Sequence, residues 1–417
     1  MLKSRPVAGL LAAELVSVSG SAISMLAIPW FVLVTTGSPA KTSLVLAAEL
    51  LGILVLGFPG GVMAGKLGPR KTMMVSDGAR CLLVGAVPAL HAAGALSLLL
   101  LTVIVFAIGA FFAPHQAARM AVLPEILGED ESTLARANSV LSGTNRLTTL
   151  IGPPVAGALI AAIGPENALW VDAATFLCSV LLIFVCIPRL AGGEPAPTPK
   201  MFSGVATLMR DRLLRPWTFA LSVFELTWQG IFAALPILAF ISFDRRPEIA
   251  GVLLTAFGAG ALAGNIVAVR ASGSLAARSQ ITRAKAVQVV VFWVLVADQR
   301  PVTIGVALAT AGFCAGVMAG PVAAIQTSRI AAEARGPALT AFGTISLGAG
   351  VIGLAGAGPL LQASGPRTLF LIVAALQTAA SVPFILSTRR FLPPSGDRSG
   401  RAGSRGDFGG AAPVAGK

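Results

Sequence analysis

The residues of this chain that can do chemistry are polar side chains set at helical spacing inside apolar stretches. Glu14, Ser17, Ser21 and Ser24 step by three or four residues and make one polar stripe along a helix. Glu225, Trp228, Gln229 and Phe232 do the same on a second helix, joining an acid, an amide and two aromatic faces. Glu49, Arg146 and Asp172 are further ionisable groups in apolar surroundings. Ionisable groups are expensive in hydrocarbon, so each is a candidate for moving a proton or holding a guest. Glu225 leads the proton-coupling candidates, followed by Glu49 and Glu14. It stands roughly 13 Å into its apolar run, counted from Pro216 at 1.5 Å per residue. Trp228, Gln229, Phe232, the three serines and Arg146 are the substrate-binding candidates. Blander roles are open as well: Glu14 as a snorkelling carboxylate, Glu49 as a structural partner of Arg146. Asp172 lies close to the outer end of its span, where solvation is easier.

Other chemistries find no support in the sequence. Cys81, Cys178, Cys186 and Cys314 are scattered through apolar stretches with no CxxC, and read as buried free thiols. His91 and His115 are isolated, so no metal site can be built from them. Gly60 to Lys66 fits GxxxxGK, but Leu67 stands where a phosphate-binding loop needs Ser or Thr. The reading is therefore no enzyme, no cofactor and no metal.

The elements that must position these residues are membrane spans. Hydrophobic residues make up 55% of the 417 and charged residues only 12%, about half the usual share of charge. Apolar runs of about 20 residues with short polar punctuation fill nearly the whole chain. The first half reads as spans at 8–34, 43–64, 77–95, 96–113, 139–162 and 168–187. The second half reads as 216–241, 249–269, 282–297, 302–325, 338–362 and 367–387. Arg283 and Lys285 shorten the ninth, so eleven spans competes with twelve. The first apolar run is too long for a signal-peptide core and is expected to stay as span one.

With both termini cytoplasmic, the inner segments hold twenty-five Lys and Arg and the outer loops five. That asymmetry sets the orientation in a cell membrane. It also accounts for the net charge of +13 without nucleic acid. Residues 189–215 contain the Pro/Gly run GGEPAPTP, a cytoplasmic linker between two six-helix halves, 1–188 and 216–388. Residues 389–417 read as a disordered basic tail. The halves repeat weakly. Gly152, Gly157, Gly164 and Pro165 have counterparts 201 residues on, at Gly353, Gly358, Gly365 and Pro366. Gly57 and Gly61 match Gly260 and Gly264 at an offset of 203. Two parallel six-span repeats are a transporter architecture with the substrate site between them.

Between spans two and three, Gly57, Gly61 and Gly65 are followed by Lys66, Arg70 and Lys71, then by Asp77 and Arg80 as a charged pair three residues apart. This stretch resembles the loop signature of the major facilitator superfamily. Gly65 and Pro69 depart from it, standing at a usually acidic and a usually basic position. In span five, Gly143, Gly152-Pro153 and Ala156-Gly157 resemble the superfamily's antiporter signature, with Ala156 in place of a second glycine. AIPWFVL, SDGARCLL, LPEIL, ARAN and DAATF look like its macrolide and multidrug efflux branch. The resemblance implies an all-α membrane protein of twelve helices in two pseudo-symmetric bundles. It implies proton antiport that exports amphipathic small molecules from a monomer, through a cavity lined mainly by spans one, four, seven and ten. The polar stripes of spans one and seven would then face each other across that cavity. Asp77 and Arg80 would take over part of the gating role of the missing loop acid. Rival readings are an exporter dedicated to one siderophore, natural product or lipid, and a non-transporting receptor or scaffold.

Overall fold

The computed structural model describes residues 5–127, 131–188, 201–271 and 277–392. Among them the regular structure is entirely helical: α1 (Arg5–Thr36), α2 (Pro39–Leu67), α3 (Pro69–Ala92), α4 (Leu98–Leu127), α5 (Glu131–Cys186) and α6 (Met201–Arg210). There follow α7 (Leu214–Ile241), α8 (Pro247–Ala271), α9 (Ala277–Ala297), α10 (Pro301–Arg329) and α11 (Ala332–Phe391). All except the ten-residue α6 are long and apolar enough to cross a membrane.

Proline and glycine set the ends of these helices. Pro39, Pro69 and Pro301 open α2, α3 and α10, where a missing N–H costs nothing. Ser38 caps α2 by accepting the Lys41 N–H at 3.3 Å. Gly68 alone turns the chain from α2 into α3, at φ 79° and ψ 150°, a region nearly closed to L side chains. Gly164 and Gly365 break α5 and α11 in the same way, at φ 81°, ψ 162° and φ 75°, ψ 176°. Each is followed by the proline that starts the next helical piece. The Gly-Pro pair repeated at 201 residues in sequence is thus repeated as a backbone conformation.

Several expected loops are helix instead. α3 starts at Pro69, and α4 runs through Pro114 to Leu127. Arg70, Lys71, His115 and Arg119 are therefore helical side chains. Membrane helices tolerate prolines because neighbouring groups take up the freed carbonyl. Of the basic residues expected in inner segments, Arg80, Arg119 and Lys285 point into the protein and are core charges, not loop charges. α9 is unbroken, and Lys285 is buried inside it. The expected linker contains α6, and α7 begins at Leu214. The linker's Pro/Gly run and the tail beyond 392 lie outside the described residues.

Helix pairing repeats as the sequence does. α1 packs on α5 as α7 packs on α11, and α2 on α4 as α8 on α10. Contacts between α2 and α11, and between α5 and α8, join the repeats. One apolar core, with Trp30, Val45, Ile104, Leu235, Leu253 and Ile304, runs through both repeats at the end bearing Pro39 and Pro247. At the opposite end the cores are separate. Leu10, Met73 and Ile183 cluster in the first repeat, and Leu213, Trp217 and Phe384 in the second. Among the described residues, the repeats are joined at one end and parted at the other.

Candidate functional site

Between the repeats lies a cavity of about 600 Å³ walled by α1, α2, α5, α7, α8 and α11. Its wall is mostly apolar, with Met25, Leu46, Ile53, Leu150 and Leu254. Phe232 and Phe257 meet there edge to face, 5.1 Å between ring centres. Gln229, Asn265 and Glu49 bring the polar groups, and Glu49 is the one charged side chain among the described lining residues. Among the described lining residues none belongs to α4 or α10, where lining mainly by spans one, four, seven and ten was expected. The reason is close packing. Gly109 of α4 abuts the Glu49 backbone and Gly312 of α10 abuts Phe257, so α4 and α10 sit directly behind α2 and α8.

Two seams close the cavity at the Pro39 and Pro247 end. A Cβ on Gly157 would lie 2.8 Å from the Pro247 carbonyl oxygen and 3.0 Å from Glu248 Cα. A Cβ on Gly251 would overlap the Pro153 carbonyl, and one on Gly358 the Pro39 carbonyl. The Ser38 hydroxyl and the Ala40 N–H donate to Gln362 Oε1 at 3.1 and 3.3 Å. Trp30 meets Phe240 edge to face at 5.7 Å. Of the span-five signature, Gly157 belongs to this seam, Pro153 to both seam and cavity wall, and Gly152 to the contact with Ala22 of α1. Gly143 is open, with nothing within 4 Å of an added Cβ.

On α7 the expected stripe is divided. Gln229 and Phe232 line the cavity, whereas Trp228 packs behind the wall against Phe232, Phe257 and Phe292. Glu225 lies one turn away from the lining, accepts the Gln229 amide at 2.8 Å and sits beside Gly350 of α11. The cavity carboxylate is therefore Glu49.

The α1 stripe does not face α7, contrary to expectation. It points into the first repeat, where it joins a buried charge network. Glu14, 1% exposed, pairs with Arg119 Nη1 at 2.9 Å and approaches His115 Nε2 at 3.6 Å. His115 Nδ1 lies 3.0 Å from Asp77 Oδ1, and Ser179 donates to Asp77 Oδ2 at 2.6 Å. Arg80 donates to Ser21 at 2.9 Å and stacks 4.1 Å over the Phe176 ring. Ser21 in turn donates to the Ser17 carbonyl at 2.9 Å. Ser24 donates to Asp172, which is fully buried and not solvated as expected. Asp77 and Arg80, expected as a pair, are held by different partners. In the sequence His115 reads as isolated and Arg119 as an inner-segment charge, because Pro114 reads as the end of span four. Their spacing of four residues was the available signal.

The second repeat answers with a different solution. Lys285 is fully buried, donates to Gln288 and Gln377 Oε1 at 2.7 Å each, and stands 3.1 Å over the Phe224 ring. Gln377 donates on to Thr227 at 2.6 Å, and Gln288 to the Ala311 carbonyl at 3.0 Å. Arg80 touches Ser21 and Phe176, and Lys285 touches Phe224 and Gln377. These partner positions are 203 and 201 residues apart, the offsets of the glycine repeat.

At the parted end, Arg70 donates to the Phe184 carbonyl at 2.8 Å and covers its ring, tying α3 to the end of α5. Lys71 is exposed, and Gly61 and Gly65 lie within α2. The side chain of Arg146 lies outside the described residues, so its pairing with Glu49 is not placed. Asp211, between α6 and α7, accepts the Leu213 and Leu214 N–H groups at 2.7 and 2.8 Å and pairs with Arg329 at 2.8 Å. Partial burial opposes its ionisation, but these donors and the guanidinium outweigh it and hold the carboxyl below its usual range.

A family model described as Major Facilitator Superfamily matches residues 10–297. The multidrug efflux pump Tap of Mycolicibacterium fortuitum is 31% identical over 396 residues, covering 92% of this chain and 94% of that protein. The multidrug efflux pump Tap of Mycobacterium tuberculosis (strain ATCC 25618 / H37Rv) is 27% identical over 389 residues, covering 88% and 89%. Among solved structures, the nucleoside transporter NupG superposes with a TM-score of 0.72 at 12% identity, covering 91% of this chain and 98% of that one. A bacterial homologue of the iron transporter ferroportin, in an inward-facing state, gives 0.71 at 16% identity, covering 92% and 98%. The two structures share the fold with this chain.

Proposed function

This chain belongs to the Major Facilitator Superfamily, and we propose that it is a secondary exporter of amphipathic small molecules driven by proton antiport. The observation that carries the reading is the cavity between the repeats, apolar and aromatic, with Glu49 as the one carboxylate among its described lining residues. Such a wall suits a flat, hydrophobic guest bearing a positive charge. The likeness to multidrug efflux pumps over nearly the full chain supports the same reading.

The breaks at Gly164 and Gly365, with α6 left outside, support a reading of twelve crossings in two bundles of six. With both termini cytoplasmic, the joined end faces outward and the cavity opens to the cytoplasm, where an exporter collects its guest. The bundles then rock about the midplane cavity, parting the α2–α11 and α5–α8 seams to release the guest outside. A proton entering from outside neutralises Glu49, which removes the counter-charge of a cationic guest and favours release. Glu49 takes the place first given to Glu225, which contributes through Gln229 at the edge of the wall. Arg70 holds the cytoplasmic ends of α3 and α5 together during the movement.

The test is transport by the purified protein in liposomes under an imposed pH gradient, with hits from a ligand-stabilisation screen as substrates. Gradient-driven accumulation of an organic cation is the expected result. Equal accumulation with and without the gradient refutes proton antiport, and no accumulation of any stabilising ligand refutes export.

A further inference from the structure

The Glu14, His115 and Asp77 cluster has no part in the cycle just described, yet it gathers charge from every helix around it. His115, 4% exposed, turns its two ring nitrogens toward two different carboxylates, Asp77 on α3 and Glu14 on α1. α4 itself adds Arg119, paired with Glu14, and α3 adds Arg80. α5 beyond Gly164 adds Asp172 and the Ser179 hydroxyl, and α2 adds Glu49. Among these described groups, four carboxylates face two guanidinium groups. Carboxylate oxygens only accept, so an imidazole with one proton leaves a lone pair facing an acid, and a second proton replaces that repulsion with attraction. An excess of buried negative charge has the same preference. Arg80 links this cluster to the cavity, because it lies within Coulombic range of Asp77, Asp172, Glu49 and Glu14 together.

We propose that Glu14, His115 and Asp77 form a second proton-holding site behind the cavity wall, whose charge reaches Glu49 through Arg80 and sets the pH range of export. The inference rests on the proton-coupled export reading. A proton on His115 neutralises Asp77 and leaves Arg80 to Glu49 and Asp172, which favours an ionised Glu49. Its loss returns Arg80 to Asp77 and favours a protonated Glu49.

The chain has two histidines, His91 and His115, so ring-nitrogen labelling gives two NMR sites, assigned with His115→Gln. The protonation of each is followed against pH in the purified wild type and in Glu49→Gln. The His115 midpoint is expected to move by about threefold or more in proton concentration, with His91 unmoved. An unmoved His115 overturns the link to Glu49, whether or not the protein transports anything. In inverted vesicles, His115→Gln is expected to displace the pH profile of ethidium export while keeping the rate at its new optimum within about threefold. A uniform loss at every pH with an unmoved profile makes His115 a structural part and overturns the proposal. If His115→Gln does not fold, Glu14→Gln read through the His115 signal replaces it, and an unmoved midpoint there overturns the triad. Failure of the wild type to export ethidium counts against the export reading alone, since the titration still decides the site.

Discussion

Gly157→Ala tests how the cavity is closed at the joined end. The added Cβ would stand 2.8 Å from the Pro247 oxygen, 3.0 Å from Glu248 Cα and 3.2 Å from the Pro247 carbonyl carbon. All three are backbone atoms, so no side chain can swing aside, and α5 and α8 must separate by about half an ångström or more to restore ordinary contact. Overpacking of this kind costs about 1–3 kcal/mol. The seam exists only while the joined end is closed, so the whole cost falls on that state. The ratio of outward-open to inward-open protein should rise about 5- to 150-fold. A cysteine placed at cavity-lining Leu46, in a background without the four native cysteines, reports the change through labelling by an impermeant maleimide added outside intact cells. The expected result is labelling at least several-fold faster in Gly157→Ala than in the parent. Equal rates in the two proteins would refute the assignment of this seam as the outer gate. Gly356→Ala is the control, because nothing lies within 4 Å of its Cβ and it should leave labelling unchanged.

Glu49→Gln keeps the shape of the cavity wall but removes its charge, so gradient-driven export of a cation should be lost while binding of neutral guests persists in equilibrium dialysis. Phe232→Ala removes one ring of the Phe232–Phe257 pair and should weaken binding of flat guests by about 0.5–1.5 kcal/mol beyond lost area, read as a rise in Kd. Lys285→Met leaves the Gln288 and Gln377 oxygens without their donor, and thermal unfolding in detergent should report a loss of about 1–3 kcal/mol. Asp211→Asn removes a carboxylate whose folded pKa is depressed, so its stabilisation is present above about pH 4 and lost as pH falls through the folded value. The difference in melting temperature between Asp211→Asn and the wild type should therefore be visible at pH 6 and shrink on acidification below pH 4.

Hydropathy by itself placed nearly every helix, because a span must hide its own backbone and the bilayer leaves only its length and apolar composition to choose. The Gly-Pro pairs repeated at 201 residues were legible for a related reason, since only glycine reaches the conformation found at Gly164 and Gly365. Polar spacing revealed that one face of α1 carries Glu14, Ser17, Ser21 and Ser24, but not what that face meets. A helix can turn any face to the cavity or to its own bundle, and that rotation is decided by packing between helices far apart in the chain. Close packing of α4 behind α2 takes His115 and Arg119 to the α1 stripe, where the charges compensate one another. The same packing leaves Glu49 facing the cavity and Glu225 a turn away from it. Which carboxylate meets a guest is a property of tertiary contacts between distant residues, and no spacing within one helix encodes it.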